Sequence, residues 1–569
     1  MSASGSMAGL AALGFLLCMG VDRVVAHDRP AGPKHKTRST VIARHGVAAT
    51  SQPLATAAAI RVLQEGGNAI DAAIAANAVI GVVEPMSCGI GGDLFAIVWD
   101  AKTKKLYGLN GSGRSPYATS LDYFASKGMK QIPTSGPLSW SVPGCVDAWD
   151  QLRTRFGTKG WSDLLAPAIA YAEEGFPVSD IIGRDWQASA RGLLQVPTSA
   201  ACYLPGGKAP GVGDVFRNPD LARTLKLISQ NGRDAFYKGP LAQAMASYSQ
   251  QVGGLFSPRD FEDHTSTWID PVSTNYRGYD VWELPPNTQG IAALQMLNLL
   301  EPYDLKAMGP QSAKSLHLMI EAKKLAYEDR AKYYSDPEFS KVPVASLISK
   351  EYAASRASLI NPDHANESPI PGEPKQADTI YMTVVDGDFN AVSLIQSNFS
   401  GFGSMHVPGN LGFALQNRGT LFALDPAHAN RLEPHKRPFH TIIPAFVTKD
   451  GKPWLSFGLM GGDMQAQGHV QVISNIIDNG MDVQEAGDAP RFRHQGSSDP
   501  TGTPAKGGGE VALESEIPED VRKELEAKGH RLIVSPGGYG GYQAIRIDLE
   551  RGILIGGSDP RKDGCAIGY

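Results

Sequence analysis

Only five cysteines occur in 569 residues, and none stands at a metal-binding spacing. There is no Cys-x-x-Cys pair and no His-Glu-x-x-His, and the 13 histidines are scattered, which removes the usual zinc frameworks. Glycine clusters such as "GIGGD" and "SPGGYGGYQ" do not fit Gly-x-Gly-x-x-Gly, and no Gly-x-x-x-x-Gly-Lys-[Ser/Thr] exists. A nucleotide-binding enzyme is therefore not expected, and neither a metal nor another cofactor is. Long basic runs are missing and the formal net charge is −5, so nucleic acid has no electrostatic footprint to bind. What remains is an ordinary globular composition, 42% hydrophobic and 20% charged. Its length requires two or more domains or one large layered unit.

Long apolar runs are scarce too. The exception is "MAGLAALGFLLCMGV" (Met7–Val21), of signal-peptide length and too short for a membrane span. "VVA" before His27 offers a small-residue cleavage site, although no Lys or Arg precedes the apolar run. Residues 1–26 therefore read as a signal peptide and 27–40 as a linker, with export to the periplasm or beyond and no stable membrane span afterwards. The alternative is a buried or interfacial N-terminal helix in a cytoplasmic protein. Cys88, Cys145, Cys202 and Cys565 read as buried thiols, and a disulfide stays open if the chain is exported.

From Val41 to about Ile370 helical patterns dominate. "PLATAAAIRVLQEGGNAIDAAIAANAVIGVVEP" reads as two packed Ala-rich helices split at Gly66-Gly67. Gln311–Pro337 is another helix, with Leu316, Met319, Ile320 and Leu325 at helical spacing. The stretch Asn361–Asp378 is polar and rich in Pro and Gly, as an exposed, cleavable loop would be. Hairpins follow, turning at Asp386-Gly387 and Asp450-Gly451 and again within "YQAIRIDLERGILIGG", with a helix at "GHVQVISNIIDNG" between them. Strands mixed with helices in this way suggest a layered sandwich.

Thr379 lies on the border between these two textures. A threonine opening a strand is usually a strand former. Its hydroxyl becomes a competent nucleophile when its own α-amino group, with a pKa of about 7.7–8, serves as the base. That requires the Asp378–Thr379 bond to be cut, and the hydroxyl can do this by attacking the Asp378 carbonyl.

"ADTIYMTVVDGDFNAVSLIQSNFSGFGS", around Thr379, resembles the nucleophile segment of the gamma-glutamyltranspeptidase family of N-terminal-nucleophile hydrolases. Other segments follow in the family's order: "GGNAIDAAIAANAVIGVVEPMSCGIGGDLF", "SWSVPGCVDAW", "LPPNTQGIAALQMLNLLE", "LMGGDMQAQGHVQV", "DAPRFRHQ" and "GGSDPRKDGCAIGY". The resemblance implies an α+β fold, a four-layer αββα sandwich with a helix-rich N-terminal part. It implies a proenzyme that cleaves itself between Asp378 and Thr379 into a large fragment (41–378 after the linker) and a small one (379–569), which stay together as a heterodimer. Its substrate would be a small-molecule amide, γ-glutamyl or related, cleaved through an acyl-enzyme on Thr379 and passed to water or an amine. Gly461 and Gly462 match the family's oxyanion glycines, and Ser397 stands where a threonine contacts the nucleophile. Arg114 lies near, but out of register with, the arginine that clamps the substrate carboxylate.

The family's substrate clamp is poorly kept. The residues after the nucleophile are Ile380-Tyr381, an asparagine position holds Phe399, and the acid that pairs with a γ-glutamyl α-ammonium is Leu421. A Gln or Glu position is Arg418, and the paired serines that bind the α-carboxylate are His440-Thr441. Arg114, Arg418, His440 and Thr441 are thus the candidate substrate-binding residues. They fit a carboxylate-bearing acyl group without a free α-amine, as in the oxamate amidohydrolases and cephalosporin (glutaryl) acylases of the family. For His440 a core or loop histidine bonded to backbone is the favoured reading. A surface Arg418, another residue supplying the missing anion so that γ-glutamyl amides remain substrates, and a non-catalytic binding protein on the same fold are the competing readings.

Overall fold

The computed structural model describes residues 36–370, 378–505 and 507–569, and of residues 378–380 it describes the backbone. The expected signal peptide, most of the linker and residues 371–377 of the expected cleavage loop lie outside the described residues.

Two seven-stranded sheets form the centre. One has the order β14-β2-β8-β9-β3-β4-β5, made of Cys565–Gly568 (β14), Gly46–Thr50 (β2), Asp378–Asp386 (β8), Ala391–Phe399 (β9), Asp93–Asp100 (β3), Lys105–Gly111 (β4) and Thr267–Ile269 (β5). The other runs Val41–Ala43 (β1), Ile553–Ser558 (β13), Tyr542–Asp548 (β12), Lys452–Leu459 (β11), Ala445–Lys449 (β10), Tyr279–Glu283 (β7) and Val272–Tyr276 (β6). The three expected hairpins are β8–β9, β10–β11 and β12–β13, all antiparallel.

Side chains alternate across the sheets as strand geometry requires. Tyr381, Val385, Phe95 and Ile395 point between the sheets, against Phe446, Ile545 and Ile547. Met382, Val384, Leu94 and Leu394 point the other way, into a core shared with two helices, Pro53–Gln64 (α1) and Ala69–Val83 (α2). The opposite face of the second sheet is covered by Gly290–Leu300 (α4), Ala313–Tyr333 (α5) and Met464–Ile477 (α6). The layers are therefore helix, sheet, sheet, helix. A further amphipathic helix, Asp180–Leu193 (α3), belongs to the helix-rich N-terminal part.

Local chemistry explains the joints. Between α1 and α2, Gly66 takes φ +79°, and a Cβ on Gly67 would meet the Val62 side chain at 2.6 Å. Asn68 then caps α2, accepting the Ile70 and Asp71 amides, while Asp71 returns a capping-box bond. Helix α5 departs from a simple amphipathic pattern. Its expected apolar residues are buried, but so are Glu321, Lys323, Lys324 and Arg330. Lys324 pairs with Glu321 at 2.7 Å and Arg330 with Asp463 at 2.8 Å, which lets these charges be enclosed. Of the four expected buried thiols, Cys88 and Cys145 are buried and Cys202 and Cys565 half-buried, and all four are free. Among the described residues, no helix is long and apolar enough to cross a membrane.

Candidate active site

Strand β8 is an interior strand, flanked by β2 and β9, so Thr379 opens a strand in the middle of its sheet. Asp378 pairs with Phe399 and Ile380 with Gln396. Opposite Thr379, β9 therefore carries one residue more than β8, a bulge of the kind that re-aims groups beside active sites. Phe399 absorbs it at φ +78°, a left-handed conformation uncommon for a bulky side chain. The Ser397 hydroxyl, fully buried, accepts the Phe399 amide at 2.8 Å and holds the bulge closed.

The glycine pair lies where β11 ends and α6 begins. Gly461 has φ +112° and Gly462 φ +60°, so both need glycine's conformational freedom. A Cβ on Gly461 would also sit 3.1 Å from the Gly540 Cα. Neither glycine N–H has a hydrogen-bond partner among the described residues, so both can receive a developing oxyanion. The turn is braced from behind. Gln289 donates to the Gly462 carbonyl at 2.9 Å and to the Thr441 carbonyl at 2.6 Å. Arg330 bonds Gln289 and Asp463, and the Tyr327 hydroxyl donates to the Asp463 carbonyl at 2.5 Å.

Arg418 opens a short 3-10 turn, Arg418–Leu421, and is completely buried. Its Nη1 donates to the Thr441 hydroxyl at 2.9 Å, and its guanidinium lies 4.5 Å from the Phe399 ring centroid. Nε and Nη2 have no partner among the described residues. Burial pushes the Arg418 pKa down, and nearby Asp93 opposes that shift. His440 lies beside this group with Nε2 2.9 Å from Asp93 Oδ2. Burial, and then the Arg418 charge, push its pKa down to about 4, so the ring is neutral, donates through Nε2 and leaves Nδ1 as a bare acceptor. The reading of His440 as a histidine bonded to backbone needs amending, because its ring partner is a carboxylate.

Asp93 went unread in the sequence. Its other oxygen accepts the Gly113 and Gly144 amides, each at 3.0 Å, and the Gln416 side chain at 2.8 Å. The signal was an acid ending a glycine-rich segment at the start of an apolar strand, "GIGGDLFAIVW". Gln289, Arg330 and Asp463 carry no such mark. Arg114 is also buried, but its guanidinium turns to Glu338, at 3.1 and 3.2 Å, where Arg437 joins it at 2.9 Å. Burial raises the Glu338 pKa, but the two arginines outweigh it and hold the carboxyl below its ordinary value. Ser397, Phe399 and Arg418 thus connect with Thr441 beside the head of β8, Gln289 ties the glycine turn to them through the Thr441 carbonyl, and Arg114 bonds Glu338 instead.

Among the described residues, one cluster offers side chains that could hold a cation: His317, Glu321 and His530. These groups are already engaged with one another, with Lys324 and with backbone, and they lie on α5 and the 530 turn rather than at the glycine pair.

Residues 55–569 match the Gamma-glutamyltranspeptidase family. A glutathione hydrolase-like proenzyme of Bacillus subtilis (strain 168), YwrD, is 40% identical over 520 residues, covering 90% of this chain and 97% of its own. The Acylase ACY 1 proenzyme of Pseudomonas sp. (strain SE83) is 36% identical, covering 92% and 93%. The crystal structure of a cephalosporin acylase from Bacillus halodurans superposes with a TM-score of 0.88 at 40% identity, covering 96% of this chain and 99% of that one. Together with the layered sandwich, these likenesses establish that the chain belongs to the gamma-glutamyltranspeptidase family and has its N-terminal-nucleophile hydrolase fold.

Proposed function

We propose that the protein is a self-cleaving N-terminal-threonine amidohydrolase acting on amides whose acyl part carries a carboxylate. The carrying observation is the edge of the buried Arg418 guanidinium that no described residue bonds. Nε–H and Nη2–H lie side by side on one edge of the planar fork, a spacing that takes a carboxylate bidentately. A buried cation without an anion is costly, and a bound substrate carboxylate removes that cost. Arg418 rather than Arg114 is therefore the carboxylate ligand, with Thr441 holding its inner nitrogen. Leu421, buried nearby, cannot pair with an α-ammonium, so a free α-amine is not required.

Maturation begins when the Thr379 hydroxyl attacks the Asp378 carbonyl. The peptide C–N bond breaks, an ester forms, and water hydrolyses it to an Asp378 carboxylate and a free Thr379 amine. The fragments stay joined, because each sheet takes strands from both sides of the cut. In turnover the α-amine accepts the hydroxyl proton as Oγ bonds to the substrate carbonyl. Gly461 and Gly462 stabilise the oxyanion, the amine leaves with that proton, and water or an acceptor amine releases the acyl group. Ser397 positions the nucleophile through the bulge it closes. Export follows from the apolar run Met7–Val21.

Two measurements test this. Intact mass of the purified protein should give two fragments, the second beginning at Thr379, with residues 1–26 gone from the first. A glutaryl anilide should be turned over at least as well as the γ-glutamyl anilide, which differs only by the amine. A strong preference for the γ-glutamyl compound overturns the acyl assignment.

A further inference from the structure

Gly461 also borders a cleft of about 770 Å³. Among the described residues, none of Phe399, Arg418, Leu421 and Thr441 lines it. The glycine turn therefore borders this open cleft, while the buried Arg418, tied to the turn through Thr441 and Gln289, lies outside its lining. One wall of the open cleft is a face of α3, where Ile181, Arg184, Asp185, Ala188 and Ser189 recur at helical spacing. The other is the glycine-rich turn 535–540, pinned from below by Arg491 on the Tyr539 carbonyl at 2.9 Å and by Arg493 on Ser535 at 3.2 Å. The floor is apolar and buried, made of Met86, Met460, Leu513 and Tyr539. The rim is charged, with Arg184 and Glu516 exposed to solvent.

We infer that this cleft is the subsite for the amine half of the substrate, and that the amine is bulky, with an apolar ring or chain seated on the Met86–Met460–Tyr539 floor. The inference rests on the proposed chemistry at Thr379. If the acyl group sits on the Arg418 side of the oxyanion, the scissile nitrogen leaves on the other, where the cleft begins. Its volume lies in the range of about 300–1,000 Å³ that receives a drug-sized group. Ammonia needs about 30 Å³, the share of one liquid water. The cleft therefore separates two chemistries that Arg418 alone does not. Secondary amides of large amines are substrates, and primary amides such as oxamate are poor ones.

The test uses amides with a common acyl group and leaving amines of similar basicity: glutaryl benzylamide against glutaric monoamide. The mature enzyme should favour the benzylamide in kcat/KM by about tenfold or more, the discrimination one apolar group gains in a fitted pocket. Ala188 is exposed on the α3 wall, so Ala188→Trp narrows the cleft without entering the core. It should pull the ratio of the two kcat/KM values down toward one, and its splitting into two fragments would report that it folds. Gln187→Trp, on the same helix but outside the lining, should keep the wild-type ratio. A wild-type ratio near one, or a ratio that Ala188→Trp leaves unmoved, overturns the inference. If both glutaryl compounds are inert while γ-glutamyl benzylamide and glutamine are turned over, the acyl assignment has failed. The same ratio, read on that second pair, then decides the cleft.

Discussion

On the proposed acyl side, Arg418, Thr441, His440 and Asp93 are all enclosed, and the outer edge of the arginine has no partner among the described residues. On the amine side the cleft is open, and much of its charge is already matched: Arg561 holds Glu514 and Asp559, and Arg184 lies against Asp185. A buried, unsatisfied donor pair discriminates steeply, because a wrong acyl group leaves it unpaired. An open cleft with an apolar floor discriminates by fit, which is gentler. The enzyme should therefore be strict about the acid it transfers and tolerant of the amine it releases.

The most severe way to break this contrast is to remove what both sides serve. Thr379→Ala should run as one uncleaved chain on a denaturing gel and show no amide turnover. If it still splits before residue 379, another group performs the cut. Next in size is Arg418→Met, which keeps the bulk and deletes the charge. Its kcat/KM for glutaryl amides should fall about a hundredfold or more, the scale of losing one partner of a buried charged pair. Its melting temperature should rise, since an unpaired buried cation gives way to an apolar chain. Unchanged turnover would show that the carboxylate binds elsewhere.

The smallest effect separates the two sides by the sign of their pH dependence. His440, on the acyl side, is held at about 4 by burial and by Arg418, below its ordinary 6.5. Its contribution to stability is complete above 6.5 and is lost as pH falls through 4. Glu84 adjoins the cleft through Met86, with Lys562 and Asp185 of the lining acting on it. Burial raises its pKa to about 7, against the opposing pull of Lys562 and of bonds from Ser51 and Ser87. Its contribution is complete below the ordinary 4.5 and is lost as pH rises through 7. Urea unfolding from pH 4 to 8 should show both arms, each on the order of 1–3 kcal/mol. His440→Gln should flatten the acid arm and Glu84→Gln the neutral one. If either variant flattens the wrong arm, the assignment of that group is mistaken.

Much of the framework was legible because it rests on local chemistry. The Ala-rich pattern and Gly66-Gly67 marked α1 and α2, and the turns at Asp386-Gly387 and Asp450-Gly451 marked hairpins whose strands alternate. The glycine pair stood out at the end of an apolar strand. The interior charges were not legible in this way. Glu321, Lys323, Lys324 and Arg330 look like the solvent face of a helix until other segments cover them. Asp93 looks like the polar edge of a strand, and only two glycine amides, a glutamine and a histidine from distant segments make it a buried acceptor.

The sequence by itself determined the order of the elements, the place of Thr379 at the head of a strand, and the class of reaction that a threonine there can perform. The first two depend on neighbours a few residues apart, and the last on a resemblance carried by motifs along nearly the whole chain. Which cation was left without an anion was decided by the tertiary structure. Arg114 finds Glu338 224 positions away, and Arg330 finds Asp463 133 positions away. Arg418 is carried to the head of β8, where Phe399 and Thr441 meet it and no carboxylate bonds it among the described residues. Pairing of buried charges is settled by which distant segments the fold brings within about 4 Å. The sequence offered both Arg114 and Arg418 for a carboxylate, and only the folded chain separated the arginine that has an anion from the one proposed to await it.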